Sequence, residues 1–163
     1  MSLYHRSMPA PEFMRLALTK AREGVASGQT PFGACIVRDG QVVACEHNAV
    51  WAHTDSTAHA EVEAIRVACR RLKTVDLSGC EIYATCEPCP MCFSAIHWAK
   101  ISTIVFGSRI ADAKGLGFSE LTVSNQQMKE LGGSPLVIVP DYLREECAAL
   151  FREWAARPGR RAY

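Results

Sequence analysis

The chain of 163 residues is 48% hydrophobic and 21% charged, and its 18 basic and 17 acidic side chains leave a formal net charge of +1. This length fits a single domain with a substantial buried core, and the composition excludes a disordered chain, a collagen-like repeat and a coiled coil. A non-specific nucleic-acid binder usually has a basic excess, so we expect no such partner.

The first half of the chain predicts two helices around a hairpin. In chain order these are a helix over residues 11–25, a strand over 33–37, an Asp-Gly turn at 39–40, a strand over 41–48, a polar loop, and a helix over 58–72. Ser56 or Thr57 is the expected N-cap of the second helix. Residues 1–10 begin with an aperiodic stretch, and we expect them to be disordered or left over from protein expression.

The second half alternates strands with helices. The predicted elements are a strand over 80–85, a helix over 89–98, a strand over 102–107, a Gly-containing loop over 112–118, a helix over 124–131, a strand over 136–139, and a last helix, capped by Asp141, to about 156. One hairpin followed by this alternation implies a mixed α/β sheet covered on both faces. The last three strands should run parallel, with ligands bound beyond their carboxyl ends.

The cysteines are the unusual feature of the composition. No apolar run approaches the ~20 residues that span a bilayer, and the N-terminus shows no apolar signal segment. We therefore expect a cytoplasmic protein with no membrane partner, whose thiols stay reduced. Three of the eight cysteines lie within residues 86–92, a spacing that favours metal or redox chemistry over disulfides.

Two motifs carry the chemistry, His59-Ala60-Glu61 and Pro88-Cys89-Pro90-Met91-Cys92, and each opens a predicted helix. His59, Cys89 and Cys92 offer one imidazole and two thiolates, a ligand set that suits Zn²⁺. Helix N-termini favour the thiolate form. Three protein ligands leave a fourth position for water, which is typical of a catalytic zinc site.

Glu61 lies two residues after His59, where its carboxylate can reach a metal-activated water without binding the metal. Proton transfer by such a group contributes roughly 10²–10⁴ in rate. A structural zinc site is the competing interpretation, because Cys86 could supply a fourth ligand and leave Glu61 idle. We expect Cys86 to point into the core instead.

The segments 57–62 and 86–92 resemble the cytidine deaminase-like superfamily, whose zinc deaminases share the signature H-x-E…P-C-x-x-C. The resemblance extends over residues 31–118 and favours the branch of guanine and tRNA adenosine deaminases, in particular the short bacterial guanine deaminases. It implies a three-layer α/β/α sandwich with a five-stranded mixed sheet. It also implies zinc-dependent hydrolytic deamination, with Glu61 as the proton carrier.

The resemblance also implies which residues meet the substrate. The expected contacts are Asn48, Ala60, Phe32, Trp98, Asp112 and Tyr163. An ionised Asp112 would suit the N–H donors of guanine, whereas adenine would leave it unpaired at a cost of ~1–3 kcal/mol. In such enzymes the C-terminal segment, here ending in Tyr163, closes the site, often from a swapped partner in a homodimer. The segment 140–163 is therefore a candidate for exchange.

Four of these contacts have a structural alternative: loop shaping for Asp112, helix core for Trp98, a turn for Asn48 and a frayed terminus for Tyr163. Three alternatives to a guanine deaminase also remain. One is a tRNA adenosine deaminase, although the balanced charges of residues 141–161 argue against a polyanionic substrate. Another is a guanosine, cytosine or amino-triazine deaminase on the same fold. The last is a non-catalytic zinc module.

Overall fold

The computed structural model describes residues 8–163. Its elements, in chain order, are α1 (Pro11–Ala26), β1 (Gly33–Arg38), β2 (Gln41–His47), α2 (Val50–His53), α3 (Ala60–Leu72), β3 (Cys80–Cys86), α4 (Pro90–Trp98), β4 (Thr103–Ser108), α5 (Ile110–Gly115), α6 (Asn125–Gly132), β5 (Val137–Val139) and α7 (Arg144–Ala155). Within this part of the chain, no helix is both long and apolar enough to cross a membrane.

The five strands form one mixed sheet in the order β2-β1-β3-β4-β5. Strand β1 is antiparallel to β2 and β3, and the strands β3, β4 and β5 are parallel. Asp39 and Gly40 make the hairpin turn with φ angles of 51° and 72°, a left-handed geometry that Asp and Gly adopt readily. The predicted hairpin and parallel strands are therefore confirmed.

Helices cover both faces of the sheet, because alternate residues of each strand point to opposite sides. On β3, Ile82 packs on the side of α3 and α4. Its neighbour Tyr83 packs on the side of α1 and α7. Gly33 and Gly107 let helices approach closely, since a Cβ at Gly33 would overlap the Ala17 carbonyl and one at Gly107 the Cys147 thiol. The predicted three-layer α/β/α sandwich is confirmed.

Two short helices differ from the sequence prediction. Helix α2 lies within the predicted polar loop, and α5 replaces the first part of the predicted loop over 112–118. Both span at most six residues, too few to show a helical period, and the glycines at 115 and 117 look like loop residues in the sequence.

Two predicted caps are wrong. His59, not Ser56 or Thr57, is the N-cap of α3. Thr57 is engaged elsewhere, because its backbone N–H and hydroxyl both donate to Asp55. Leu143 is the N-cap of α7, and Asp141 instead pairs with Arg109 across the end of β4.

The prediction for residues 1–10 falls mainly on residues 1–7, which lie outside the described residues. Pro9 and Ala10 belong to the described part and lie against the core. Tyr142 donates to the Pro9 carbonyl, and the Ala10 N–H donates to the Tyr83 hydroxyl at 3.2 Å.

Candidate active site

The two predicted metal motifs each begin a helix that packs on the sheet. His59 is the N-cap of α3 and Cys89 the N-cap of α4, both with extended backbone. Pro90 occupies the first turn of α4, where its missing N–H costs nothing. The two cap side chains turn towards each other. The starts of α3 and α4 thus bring residues 59 and 89 together.

The distances within this group fit a tetrahedral ion. His59 Nδ1 lies 3.6 Å from Cys89 Sγ and 3.5 Å from Cys92 Sγ, and the ligand atoms all lie within 4.8 Å of one another. Tetrahedral zinc, with bonds of about 2.0–2.1 Å to nitrogen and about 2.3 Å to sulfur, separates the two atoms by about 3.6 Å. The nitrogen and sulfur donors and their spacing suit Zn²⁺, which we identify as the cofactor.

Cys86 does not close the site. Its thiol donates to the Arg109 carbonyl at 3.5 Å, and burial raises its pKa, which keeps it a neutral thiol. In residues 8–163 the ligand group consists of His59, Cys89 and Cys92. Four-coordinate zinc held by these three would keep one position for water, as catalytic zinc sites do.

Hydrogen bonds favour the thiolate form of Cys89, which is the form that binds a cation. Hydrogen bonds from Cys92 and from His59 lower the pKa of Cys89 to about 4. The thiolate is the metal-binding form of cysteine, so Cys89 is charged at neutral pH before any ion arrives.

Glu61 lies beside the metal group without joining it. Its side chain is 8% exposed, and its Oε2 accepts from Cys92 Sγ at 3.5 Å. Burial raises the pKa of Glu61 to about 7. A general acid–base works best with a pKa near the operating pH, so Glu61 is suited to accept a proton and return it.

A small cavity adjoins these groups, with a volume of about 20 Å³, room for about one water. Phe32, His59, Glu61, Cys86, Glu87, Cys89, Glu120 and Tyr163 line it. A more open cavity of about 240 Å³ lies next to it and shares His59, Cys89, Glu120 and Tyr163. Tyr163 therefore separates an inner chamber from the surface.

Tyr163 closes this chamber from within its own chain. The Asn48 side-chain N–H donates to the Tyr163 hydroxyl at 2.6 Å, and the Tyr163 ring centre lies 5.7 Å from that of His59. Burial raises the pKa of Tyr163, so the phenol stays neutral. Two more contacts hold the C-terminal tail, residues 156–163. The Ser119 N–H donates to the Tyr163 carbonyl at 3.1 Å, and the Arg161 guanidinium lies 3.7 Å from the centre of the Trp51 ring.

Three other predicted contacts lie at or next to this chamber. Asn48 is fully buried, and its Oδ1 accepts from the Val50 N–H at 3.1 Å, so its amide N–H group faces Tyr163. Phe32 lines the chamber and packs edge-on against Phe118, 5.0 Å between ring centres. Ala60 is fully buried in the core beside His59, and its contact with substrate stays a prediction.

The structure does not bring Trp98 to this chamber. Trp98 ends α4, about 13 Å along the helix axis from Cys89, and is 82% exposed. It lines a separate surface cavity together with His97 and Leu136. The alternative of a core residue is equally wrong, because most of the indole faces outward.

Asp112 is also placed differently from the prediction. Its Oδ2 accepts from the Arg109 N–H at 2.7 Å, which caps α5, and its carboxylate pairs with Arg144 at 2.8 Å. The structural interpretation of Asp112 is therefore the correct one, with a helix in place of a loop.

Besides Glu61 and Glu87, Glu120 is a third acidic residue that lines the chamber, and sequence reasoning missed it. It lines both cavities at the metal group, and burial raises its pKa. One signal could have found it: Glu120 lies in the connection after β4, beyond the carboxyl end of a parallel strand, where such sheets bind ligands.

Comparison with known proteins agrees with this geometry. The family described as "Cytidine and deoxycytidylate deaminase zinc-binding region" matches residues 8–108, and the chain belongs to this family. Together with the metal group and Glu61, this membership makes the chain a zinc-dependent hydrolytic deaminase.

The relatives include guanine deaminases and tRNA-specific adenosine deaminases. Guanine deaminase of Bacillus subtilis (strain 168) is 46% identical over 109 residues, 66% of this chain and 70% of the relative. The tRNA-specific adenosine deaminase of the same strain is 37% identical over 145 residues, 86% of this chain and 88% of the relative. A solved structure of guanine deaminase from Nitrosomonas europaea has a TM-score of 0.84 and 32% identity, covering 93% of this chain and 88% of that one.

Proposed function

We propose that this deaminase acts on guanine and releases xanthine and ammonia. The observation that carries the proposal is Glu120, a carboxylate that lines the chamber together with Glu61 and the metal ligands His59 and Cys89. Similarity to guanine deaminases, at 46% identity over 109 residues for the Bacillus subtilis enzyme, supports the same substrate.

The chemistry of the base favours guanine over adenine. Guanine presents N–H donors at N1 and N2, and a carboxylate accepts both. Adenine has no N1–H, so a half-buried Glu120 would face the N1 lone pair instead of a second donor, at a cost of about 1–3 kcal/mol. The role that the sequence suggested for Asp112 is thus transferred to Glu120.

The closed chamber favours a small substrate. With Tyr163 on Asn48, the inner cavity holds about 20 Å³, so the tail has to lift before a purine can enter. The residues after α7 belong to no strand, so they can lift without disturbing the sheet. A ribose or a longer nucleic acid would require the tail to stay open during the reaction.

The residues have distinct roles in the proposed reaction, in which guanine and water give xanthine and ammonia. His59, Cys89 and Cys92 hold Zn²⁺, which supplies the Lewis acidity that activates water. Glu61 takes a proton from the water and passes it to the ring nitrogen. It then takes the second proton, from the new C–OH group, and gives it to the amine, which leaves as ammonia while the C=O forms. Asn48, Phe32, Glu120 and Tyr163 orient the base.

Two further properties remain part of the proposal. None of the eight cysteines forms a disulfide, in keeping with a cytoplasmic, reducing location. A homodimer with an exchanged tail is the expected assembly, although here the tail lies on its own site. Light scattering on wild-type protein and on a variant lacking residues 158–163 would measure whether the tail holds two copies together.

A substrate panel tests the proposal. Guanine, guanosine, adenine, cytosine, cytidine and amino-triazines are compared by ammonia release with the zinc-loaded protein. We expect guanine to have the highest kcat/KM. A tRNA anticodon stem-loop is included because a tRNA-specific adenosine deaminase matches 86% of this chain. Inosine formed in the stem-loop, with no turnover of free bases, would overturn the proposal in favour of tRNA.

A further inference from the structure

Glu87 is a buried acidic residue for which the proposed reaction has no role. It lies between β3 and the metal-binding turn at Cys89, and it is 6% exposed. It borders the inner chamber, yet both of its carboxylate oxygens are engaged by backbone. Oε2 accepts from the Ile110 N–H at 3.3 Å and Oε1 from the Asn125 N–H at 2.9 Å.

Asn125 makes a second hydrogen bond to the metal-binding turn, through its side chain. Its side chain is fully buried, and its Nδ2 donates to the Pro88 carbonyl at 2.6 Å. The Glu87 N–H, in turn, donates to the Ser108 carbonyl at 2.7 Å at the end of β4. The residues directly before Cys89 are therefore bonded to both ends of the segment 109–125.

That segment carries the groups that face the substrate. Between its two anchored ends lie Phe118, which packs on Phe32, and Glu120, which lines the chamber. Its Ser119 N–H also holds the Tyr163 carbonyl. A single carboxylate thus ties the start and the end of this connection to the turn that holds the metal ligand.

We infer that Glu87 is a positioning residue that sets Glu120 at a fixed distance from the metal group and so determines the affinity for the base. The inference rests on the proposed role of Glu120. It explains why a carboxylate is needed, because both partners are N–H donors and a carboxylate offers one acceptor oxygen to each. Glutamine in its place would turn an amide N–H₂ towards one of the two donors.

The test compares Glu87→Gln with a matched variant on the same strand. Glu81→Gln removes a carboxylate at the other end of β3, where Glu81 accepts from the Tyr83 hydroxyl. For Glu87→Gln we expect unchanged zinc content, a KM for guanine about tenfold higher, as one lost buried hydrogen bond gives, and little change in kcat. Hydrogen exchange over residues 110–125 should accelerate. Glu81→Gln should change none of these.

A double-mutant cycle asks whether Glu87 acts through Glu120. If it does, Glu87→Gln adds little to the KM of Glu120→Gln, because the effects of coupled residues do not add. Fully additive effects would contradict the inference. If hydrogen exchange over residues 110–125 of Glu87→Gln has the wild-type rate, the inference is also wrong. Loss of zinc from a folded Glu87→Gln protein would overturn it as well.

Hydrogen exchange separates this inference from the proposed function, since it needs no substrate. Hydrogen exchange could be faster in Glu87→Gln while the wild type does not turn over guanine. In that case the anchoring by Glu87 is correct and the proposed substrate is wrong. If Glu87→Gln does not fold, Asn125→Ala removes only the side-chain bond to Pro88 and keeps the backbone N–H on Glu87. Faster exchange of 116–125 in that variant supports the anchor, and unchanged exchange refutes it.

Discussion

The metal side and the substrate side of the chamber are held by different kinds of structure. His59, Cys89 and Cys92 lie in the first turns of α3 and α4, which pack on the buried face of the sheet. Glu120 lies in the connection after β4 and Tyr163 in the segment after α7, and Tyr163 is held by two hydrogen bonds and aromatic contacts. The chemistry is thus fixed by regular structure, and substrate choice depends on segments that can shift.

The largest expected effect comes from replacing one of the metal ligands. Cys92→Ser should lose Zn²⁺ and all measurable turnover. It should also lower the melting temperature, because an ion that binds only the folded state contributes about 2.7 kcal/mol at 100 times its Kd. Zinc content by mass spectrometry and thermal unfolding measure both effects.

Cys86→Ser is the matched control for this variant. Cys86 is another cysteine at the chamber, and its thiol bonds the Arg109 carbonyl outside the ligand group. This variant should keep its zinc even if its stability falls. Full zinc occupancy in Cys92→Ser would show that the ligand assignment is wrong.

The next-largest expected effect is on the chemical step alone, without loss of zinc or of the fold. Glu61→Ala should keep zinc and fold but lose about 10²–10⁴ in kcat, the contribution of a positioned acid–base group. Glu63→Ala, on the same helix and paired with Arg66 instead of facing the chamber, should retain wild-type turnover. Activity of Glu61→Ala close to that of wild type would refute proton transfer by Glu61.

The same contrast explains what the sequence could predict. Metal ligands at fixed spacing on helix starts are local features, so His59, Cys89, Cys92 and Glu61 were identifiable from the two motifs. The hairpin and the parallel strands were likewise predictable from local patterns. The substrate contacts depend on how loops fold in three dimensions. Nothing local in the sequence shows that Asp112 is engaged by Arg144 while a residue eight positions later faces the chamber.

Neutralising Glu120 should have an intermediate effect, and neutralising Asp112 is its control. Glu120→Gln should weaken guanine binding by about 1–3 kcal/mol through its lost acceptor, seen as a higher KM at constant zinc content. Asp112→Asn, which loses the ion pair with Arg144, should leave that KM near its wild-type value. The reverse pattern would restore Asp112 as the substrate contact.

The smallest effect concerns the tail, where the contacts are weakest. Arg161→Ala removes the cation–π contact with Trp51, worth about 0.5–2 kcal/mol, and Tyr163→Phe removes only the hydroxyl bonded to Asn48. Both should speed opening of the chamber, so product should leave faster and KM should rise by a small factor. Arg160→Ala is the control, since Arg160 lies over Trp154 at a longer 5.8 Å.

Truncation of Tyr163 extends this series. It removes the ring that separates the inner chamber from the open cavity, so guanosine should become a better substrate relative to guanine. The guanosine-to-guanine ratio of kcat/KM measures this directly. If that ratio, the KM and kcat all match those of the wild type, Tyr163 does not control access, and selection by size has to come from the Phe118 and Glu120 segment instead.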